Sequence, residues 1–205
     1  MRLTPQQAYD MAVRYKPYWR GGGGVTVSGG EAMLQIDFVN EFFSLCKAGG
    51  VNTALDTSGH PFTYEEPYFS KFLKLCEVCD LFILDIKHID DEAHKALTGH
   101  TNANILEMAR YLSSHGKHMW IRHVLVPGLI DDEEALSRLG DFIATLDNVD
   151  RVEVLPYHSL GVAKWDKLGL DYSLRDTRSP SAESVAAANR LLRTSDYLSY
   201  KKDDL

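Results

Sequence analysis

The sequence predicts an α/β protein in which parallel strands alternate with helices. The first observation is that short apolar or β-branched segments are separated by segments with apolar residues at helical spacing. The second is that residues 81–87, LFILDIK, are apolar at nearly every position, as in a central parallel strand buried on both faces. The third is that the connections are short, which favours right-handed β/α units joined into one array.

Five strands are predicted from their apolar runs and the turn residues that follow them. The first is the β-branched run Val25-Thr26-Val27, which ends at Ser28-Gly29. The fourth runs into Pro127-Gly128. In chain order, the predicted strands cover residues 25–27, 51–57, 81–87, 119–126 and 151–155.

The helices are predicted from capping residues and apolar stripes. Thr4 is an N-cap, Pro5 stands in the first turn, and Gln7 completes a capping box, so the first helix runs toward Tyr15. A stripe from Phe38 to Cys46 predicts the second helix, which ends at Gly49-Gly50. Further helices are predicted over residues 64–78, 90–97, 104–114, 131–146 and 181–193.

The organisation of the chain indicates one domain over residues 1–205, with a flexible tail at residues 196–205. The connection 158–178 is long for a structureless segment, so we expect it to cover a site or dock a partner. No apolar run is long enough to span a bilayer, and the N-terminus has no apolar signal-peptide core, so a cytoplasmic location is expected. The net charge of −7 argues against nucleic-acid binding, and the three cysteines cannot form a disulfide framework.

Polar residues or glycines follow each predicted strand. They are Gly29-Gly30-Glu31, Asp56-Thr57, Asp85 with Lys87, Arg122, and His158. In a parallel array all these strand ends lie on one rim, where α/β proteins bind ligands. Each has an ordinary alternative: the glycines as a tight turn, Asp56 as a loop cap, Arg122 as an ion-pair partner, His158 as a surface histidine. Asp85 is the strongest candidate, because a carboxylate within ILDIK needs a cation or several donors to offset its desolvation.

Five segments of this chain resemble the radical S-adenosylmethionine (SAM) enzymes that activate glycyl-radical enzymes, in particular the type that acts on pyruvate formate-lyase. In chain order the segments are SGGEAMLQ, LDTSG, LDIK, WIRHVLVPG, and LPYHSLG followed by Lys164-Trp165. The resemblance covers nearly the whole chain. It implies a partial, open parallel β/α barrel of the radical SAM type, here missing its first strand.

The resemblance also implies a cofactor site. Gly29, Gly30 and Glu31 would line the methionine end of SAM, and Asp85, Ile86 and Lys87 would continue the wall of the pocket. Lys87 would face the methionine carboxylate. Arg122 and His158 would complete the pocket. Asp56, Thr57 and Asp85 match positions that hold a monovalent cation in the family, and such an ion would neutralise the buried Asp85.

The activity implied is radical transfer to a partner protein. In the family a reduced [4Fe–4S] cluster, fed by an electron donor such as flavodoxin or ferredoxin, cleaves SAM, and the resulting radical removes a hydrogen from a backbone glycine of the glycyl-radical enzyme. The cofactor carries this chemistry, so no side chain is expected to act as catalytic acid or base. The connection after His158 is a candidate flap over the open barrel mouth.

The cluster ligands of the family are absent from this sequence. The family holds its cluster with a CxxxCxxC loop, and no such motif occurs here. Cys46 lies on an apolar helix face, and the CxxC formed by Cys76 and Cys79 falls at a helix end opposite the proposed site. We expect an N-terminally truncated chain that takes up no iron. Val25–Ser28 would then be an unprotected sheet edge, and the chain would aggregate or unfold more easily than one extended upstream.

Two other functions remain open at this stage. The first is a catalytically inactive module that binds SAM or the partner protein and has lost the cluster. The second is an ordinary β/α phosphate binder that uses the glycines at residues 21–24, although these precede a strand instead of following one.

Overall fold

The computed structural model describes residues 2–19, 23–159, 162–172 and 174–199. One five-stranded sheet forms its centre, with all neighbouring strands parallel and in the order β1-β2-β3-β4-β5. The strands are β1 (Gly24–Val27), β2 (Asn52–Thr57), β3 (Leu81–Asp85), β4 (Met119–Leu125) and β5 (Val149–Pro156). The predicted α/β class is confirmed: the described sheet is open and has the arrangement of a partial β/α barrel.

The described residues form eight α-helices, of which α1 precedes β1 and the others connect or follow the strands. Thr4 caps the first as predicted: its hydroxyl accepts from the Gln7 amide, and the Gln7 side chain accepts from the Thr4 amide. The helices are α1 (Pro5–Val13), α2 (Ile36–Ala48), α3 (Tyr68–Val78), α4 (Asp91–Thr98), α5 (Ala103–Ser114), α6 (Glu133–Ile143), α7 (Val162–Leu168) and α8 (Ala182–Leu191). Among the described residues, no helix is long and apolar enough to cross a membrane.

The two faces of the sheet differ in character because the strand order follows the chain order. Right-handed crossovers between sequential neighbours place every connecting helix on the same face. On that face, alternate strand residues form the core with the helices; Leu55, Phe82, Leu84 and Ile121 are all completely buried. On β2 and β4 the intervening residues are less buried and lie on the opposite, inner face. For each functional residue predicted from the sequence, the structure therefore decides whether its side chain lies on the inner face or in the core under the helices.

Two parts of the chain differ from the sequence prediction. Helix α3 begins at Tyr68 instead of residue 64, because the residue before Pro67 is disfavoured in the helical region. The connection after β5 contains α7, which the sequence reasoning treated as a polar connection without a helix.

The chain end was expected to be a flexible tail from residue 196. Tyr197 instead packs against the core, and Leu198 forms an antiparallel bridge with Arg151 of β5. Residues 200–205 lie outside the described part of the chain.

Strand β1 lies at the edge of the described sheet. It is paired with β2 from Gly24 to Val27, and no second neighbour is present among the described residues. Of the edge expected at Val25–Ser28, the residues up to Val27 belong to β1, where backbone groups of one side have no strand partner among the described residues. Of the glycine run at residues 21–24, Gly21 and Gly22 lie outside the described residues.

Candidate functional site

The glycine pair after β1 forms an open turn at the carboxyl rim of the sheet. Gly29 and Gly30 have φ angles of 96° and 57°, in the left-handed region that favours glycine. A Cβ added at either position would meet nothing within 4 Å. The space in front of both residues is therefore free, and a ligand can approach their backbone groups directly.

Glu31 fastens this turn to the end of β2. One carboxylate oxygen accepts from the Met33 amide at 2.9 Å and the Thr57 hydroxyl at 2.6 Å. The other accepts from the Ser58 amide at 2.9 Å and the Ser58 hydroxyl at 2.6 Å. With four donors on two oxygens, Glu31 is engaged with the protein itself. Its role in the site is to fix where the glycine turn stands.

Arg122 lies at the centre of the inner face and joins two neighbouring carboxylates. Its Nη1 donates to Asp56 Oδ2 at 3.0 Å, across the intervening strand β3. Its Nε is 3.6 Å from Glu153 Oε2, beyond hydrogen-bond reach, and this buried nitrogen has no hydrogen-bond partner. All three side chains are about three-quarters buried. Arg122 thus has an unused donor in a partly desolvated place.

Asp85 and Lys87 form an ion pair at the end of β3. Lys87 Nζ lies 2.5 Å from Asp85 Oδ2, while Asp85 Oδ1 is buried without a hydrogen-bond partner. The concern raised by the sequence, that a carboxylate in this strand needs a cation, is met in part by Lys87. One carboxylate oxygen is nevertheless left unsatisfied, which is costly unless a ligand or ion supplies the missing interaction.

Two of the expected site residues turn their side chains away from the inner face. Ile86 is 1 % exposed and packs in the main core. Its backbone amide donates to the Arg122 carbonyl. Thr57 is 3 % exposed, and its hydroxyl is bonded to Glu31 and to the Gly59 amide. The Ile86 amide and the Thr57 hydroxyl already donate to protein oxygens. Either residue could therefore contact a ligand only as an acceptor, through its oxygen lone pairs.

His158 follows β5 and is exposed. The neighbouring Tyr157 is instead the buried residue at this rim, and its hydroxyl donates to the Leu174 carbonyl at 3.0 Å. Tyr157 forms a second small core with Val126 and Ile130, against which Tyr172 and Leu174 pack. Tyr172 and Leu174 of the segment after β5 therefore pack against the ends of β4 and β5. The expectation that the connection 158–178 covers a site or docks a partner stays a prediction.

Sequence reasoning missed two inner-face residues, Glu153 and Arg151. One carboxylate oxygen of Glu153 lies near Arg122, and the other accepts from Arg151 at 2.6 Å. Arg151 also lies 5.0 Å above the ring of Trp120. The signal was available, because polar and apolar residues alternate in RVEVLPY, which is typical of a strand with one polar face.

The cysteines lie away from this site, in the helical layer and in the loop before β3. Burial raises the pKa of Cys46 to about 11 and that of Cys76 to about 12, and it raises the pKa of Cys79 as well. All three are buried free thiols. In the described residues no three histidine, cysteine or acidic side chains are grouped so that they could hold a metal ion. These protonated thiols do not fit an iron–sulfur cluster, which needs exposed or exchangeable thiolates.

The inner rim does fit a zwitterionic ligand. The glycine turn offers bare backbone groups, Arg122 an unused N–H and Asp85 an unused carboxylate oxygen. Paired opposite charges of this kind suit the ammonium and carboxylate of an amino-acid moiety. The inner-face carboxylates of Asp56, Asp85 and Glu153 each lie within ion-pair distance of a cationic side chain.

Comparisons with known proteins agree on one family. Residues 1–139 match the model of the radical SAM superfamily. The pyruvate formate-lyase-activating enzyme of Listeria monocytogenes is 50% identical over 195 residues, which cover 95% of this chain and 79% of the relative. The corresponding enzyme of Streptococcus mutans is 48% identical over 204 residues, covering 98% and 78%.

Solved structures show the same architecture. A domain of pyruvate-formate lyase-activating enzyme from Bacteroides vulgatus superimposes with a TM-score of 0.68 at 25% identity, covering 86% of this chain and 95% of that one. Streptococcus suis SuiB bound to S-adenosylmethionine also gives 0.68, at 18% identity, covering 98% of this chain and 42% of SuiB. At that identity, the likeness to SuiB concerns the fold alone.

Proposed function

Because the chain belongs to the pyruvate formate-lyase-activating enzymes of the radical SAM superfamily, we propose that it binds SAM at the inner rim and serves in the activation of pyruvate formate-lyase. The observation that carries the proposal is the pair of unused buried groups, Asp85 Oδ1 and Arg122 Nε, on the face next to the open glycine turn. In this family SAM supplies the carbon centre that abstracts hydrogen. The residues of this chain would bind and orient SAM.

The proposed roles follow from the chemistry of each group. Carbonyl oxygens of Gly29 and Gly30 accept from the ammonium of the methionine moiety. Lys87 and Arg122 face its carboxylate as cations. Glu31 holds the turn in place. His158 and Ile86 stand beside the pocket, His158 from the rim and Ile86 through its backbone.

A monovalent cation is part of the proposal. Asp56, Thr57 and Asp85 would hold it near the methionine carboxylate, and the unsatisfied Asp85 Oδ1 supports such an ion. Lys87 contacts Asp85 Oδ2, and Arg122 contacts Asp56 Oδ2. Titration of the protein with potassium and sodium in the presence of SAM measures this: a cation site makes SAM affinity depend on the ion's identity, whereas simple screening affects both salts equally.

The SAM site is tested by titration calorimetry with the isolated protein. Wild type is compared with Arg122→Gln and with Arg138→Gln, a matched arginine of α6 that pairs with Asp90 on the surface. Loss of a charge-assisted bond at Arg122 weakens SAM binding at least tenfold, while Arg138→Gln binds like wild type. Absence of SAM binding to the wild type contradicts the site. Equal affinity of Arg122→Gln, with unchanged thermal unfolding, removes Arg122 from it.

A second candidate function is supported by the cysteines. The chain presents no cluster ligands in its sequence or among its described residues, so a module that binds SAM or the partner without cleaving SAM fits these residues equally. Anaerobic iron–sulfur reconstitution tests the module. Iron bound in stoichiometric amount, with production of 5′-deoxyadenosine, contradicts the module and supports the activase. SAM binding without iron agrees with the module and with an activase chain that lacks the cluster ligands.

The partners in the proposal are pyruvate formate-lyase as protein substrate and a flavodoxin or ferredoxin as electron donor, in the cytoplasm. The family membership supports the first, and the three free thiols suit a reducing compartment. Sedimentation of the protein with purified pyruvate formate-lyase tests the main partner. Co-sedimentation that requires SAM is expected, and its absence at micromolar concentrations of both proteins argues against docking by this chain.

A further inference from the structure

His123 is a buried histidine of β4 with a backbone carbonyl at each ring nitrogen. Its ring is on the helix side of the sheet, and the residue is 3 % exposed. Nδ1 lies 3.0 Å from the Ile86 carbonyl oxygen and Nε2 lies 3.1 Å from the Ile130 carbonyl oxygen. Both oxygens can only accept hydrogen bonds. The ring therefore has to supply a proton to each side if both contacts are to be hydrogen bonds.

The number of protons on the ring decides which contact holds. A neutral imidazole carries one N–H and an imidazolium carries two. Beside the ring there is a cavity of only about 10 Å³, at the lower limit for one water, so water gives little relief to an unpaired carbonyl. The neutral ring can satisfy Ile86 or Ile130, and only the charged ring satisfies both.

The surroundings favour the neutral ring near neutral pH. Burial lowers the pKa of His123, and the two carbonyl contacts oppose this shift only in part. The titratable groups that act on the ring are His88 and Lys87, at the end of β3, and both also lower its pKa. The face of α6 that lines the cavity is apolar, formed by Ala135, Leu136 and Leu139.

The Ile86 contact reaches the proposed SAM site. The Ile86 amide donates to the Arg122 carbonyl at 3.0 Å, and its carbonyl faces His123. Consecutive residues of β4 thus hold both sides of Ile86. Asp85 and Lys87, which flank Ile86, form the ion pair of the inner rim. The orientation of the peptide between Ile86 and Lys87 therefore sets the direction in which Lys87 leaves the strand.

The Ile130 contact reaches the loop between β4 and α6. The loop turns at Gly128, which has a φ of 74° and whose amide donates to Asp131. Ile130 packs with Tyr157 under the segment that covers the rim, while Leu129 is half exposed. Ile86 is fixed by strand pairing, but Ile130 belongs to an irregular loop. The loop is therefore the side that gives way when the ring has a single proton.

We propose that His123 is a positioning residue of the SAM site: its Nδ1–H holds the Ile86 carbonyl in both charge states, and its Nε2–H fastens the loop 127–131 at Ile130 only when the ring is doubly protonated. The link to SAM rests on the proposed function. The protonation pattern and the loop response do not.

Long-range ¹H–¹⁵N spectra of the histidine side chains test the ring itself. At pH 8 we expect His123 with Nδ1 protonated and Nε2 bare. As the pH is lowered within the range in which the protein stays folded, we expect protonation of Nε2 with slower exchange of the Leu129 amide. A ring protonated at Nε2 at pH 8, or one that never takes a second proton while the protein stays folded, overturns the proposal whether or not SAM binds.

Three variants then separate the two contacts. In His123→Asn the amide nitrogen can replace Nδ1, in His123→Gln it can replace Nε2, and His123→Phe removes both donors. SAM affinity of His123→Asn should stay within about threefold of wild type, while the other two lose about tenfold, the worth of one buried hydrogen bond. Equal losses in the Asn and Gln variants, with equal thermal stability, overturn the positioning role.

The control for the proposed function is the wild-type protein. If it binds no SAM, the proposed function fails, and the Lys87 amide resonance becomes the readout. That resonance should match wild type in His123→Asn and shift in His123→Gln and His123→Phe. The opposite pattern refutes the role of Nδ1.

Discussion

Glu31 accepts four hydrogen bonds, which we call the clamp. Because of the clamp, we expect even the nearly isosteric substitution Glu31→Gln to lower the stability of the fold strongly. Each carboxylate oxygen accepts one backbone amide, from Met33 or from Ser58, and one hydroxyl. The hydroxyls of Thr57 and Ser58 can rotate and accept from the new amide. A backbone N–H cannot, so the NH₂ group of the substituted side chain would face one backbone donor in either flip.

The magnitude follows from that count. One charge-assisted hydrogen bond to a partly buried group is lost and a backbone donor is left unpaired, which costs about 2–3 kcal/mol. For a chain of this length, the midpoint of thermal unfolding should fall by roughly 5–10 °C. Urea unfolding at pH 7 measures the free energy, and amide exchange at Met33 and Ser58 locates the loss.

The matched control is Glu41→Gln on the exposed side of α2, which should change the free energy of unfolding by less than about 0.5 kcal/mol. If Glu31→Gln is as stable as this control, the clamp does not fix the glycine turn, and the role assigned to Glu31 is wrong. Faster exchange at a distant amide instead of Met33 or Ser58 would also count against it.

Three further predictions concern packing, pH and thiol chemistry. Gly140→Ala would place a Cβ 2.3 Å from the Leu191 carbonyl oxygen. The free energy of unfolding in urea should therefore fall by about 1–3 kcal/mol, despite the better helix propensity of alanine. An unchanged free energy of unfolding refutes this packing. Burial raises the pKa of Asp80, but hydrogen bonds from Lys47 and Thr53 outweigh it and hold that pKa below its ordinary value. Wild type should therefore exceed Asp80→Asn in stability, by about 1 kcal/mol or less, above roughly pH 4 and lose this advantage as the pH falls through the lowered pKa. A stability difference that grows as the pH is lowered contradicts this assignment. The three cysteines should react with a thiol reagent at pH 8 only after unfolding, and fast native labelling contradicts their burial.

The succession of the strands and their parallel direction could be predicted from the sequence, because each strand and each connecting helix is marked by residues close to it in the chain. The apolar run at residues 81–87 contains β3, which ends at Asp85, and Lys87 follows two residues after the strand end. Thr4 and Gln7 cap α1 through contacts three residues apart, which depend on nothing distant. Helix α7 was missed because no buried apolar stripe marks it in its described side chains, and Trp165 and Leu168 are exposed.

The candidate site was predicted less completely. A predicted strand end gives the position of a residue at the rim of the sheet, but it does not give the partners of its side chain. Asp85 was expected to need a cation, and Lys87 supplies one two residues away. Arg122 was predicted without its partners, Asp56 and Glu153, which belong to other strands; Asp56 is 66 residues away along the chain. Only the folded sheet brings these charges within reach of one another.

The sequence by itself determined the succession of strands and helices, the rim on which polar residues gather, and the absence of a CxxxCxxC motif, because each depends on local propensity or on residue identity. The tertiary structure decided which side of each strand faces inward, which carboxylate oxygen stays unpaired and which carbonyls meet the His123 ring. These depend on register and packing between segments far apart in the chain, where a shift of one residue would exchange the two faces.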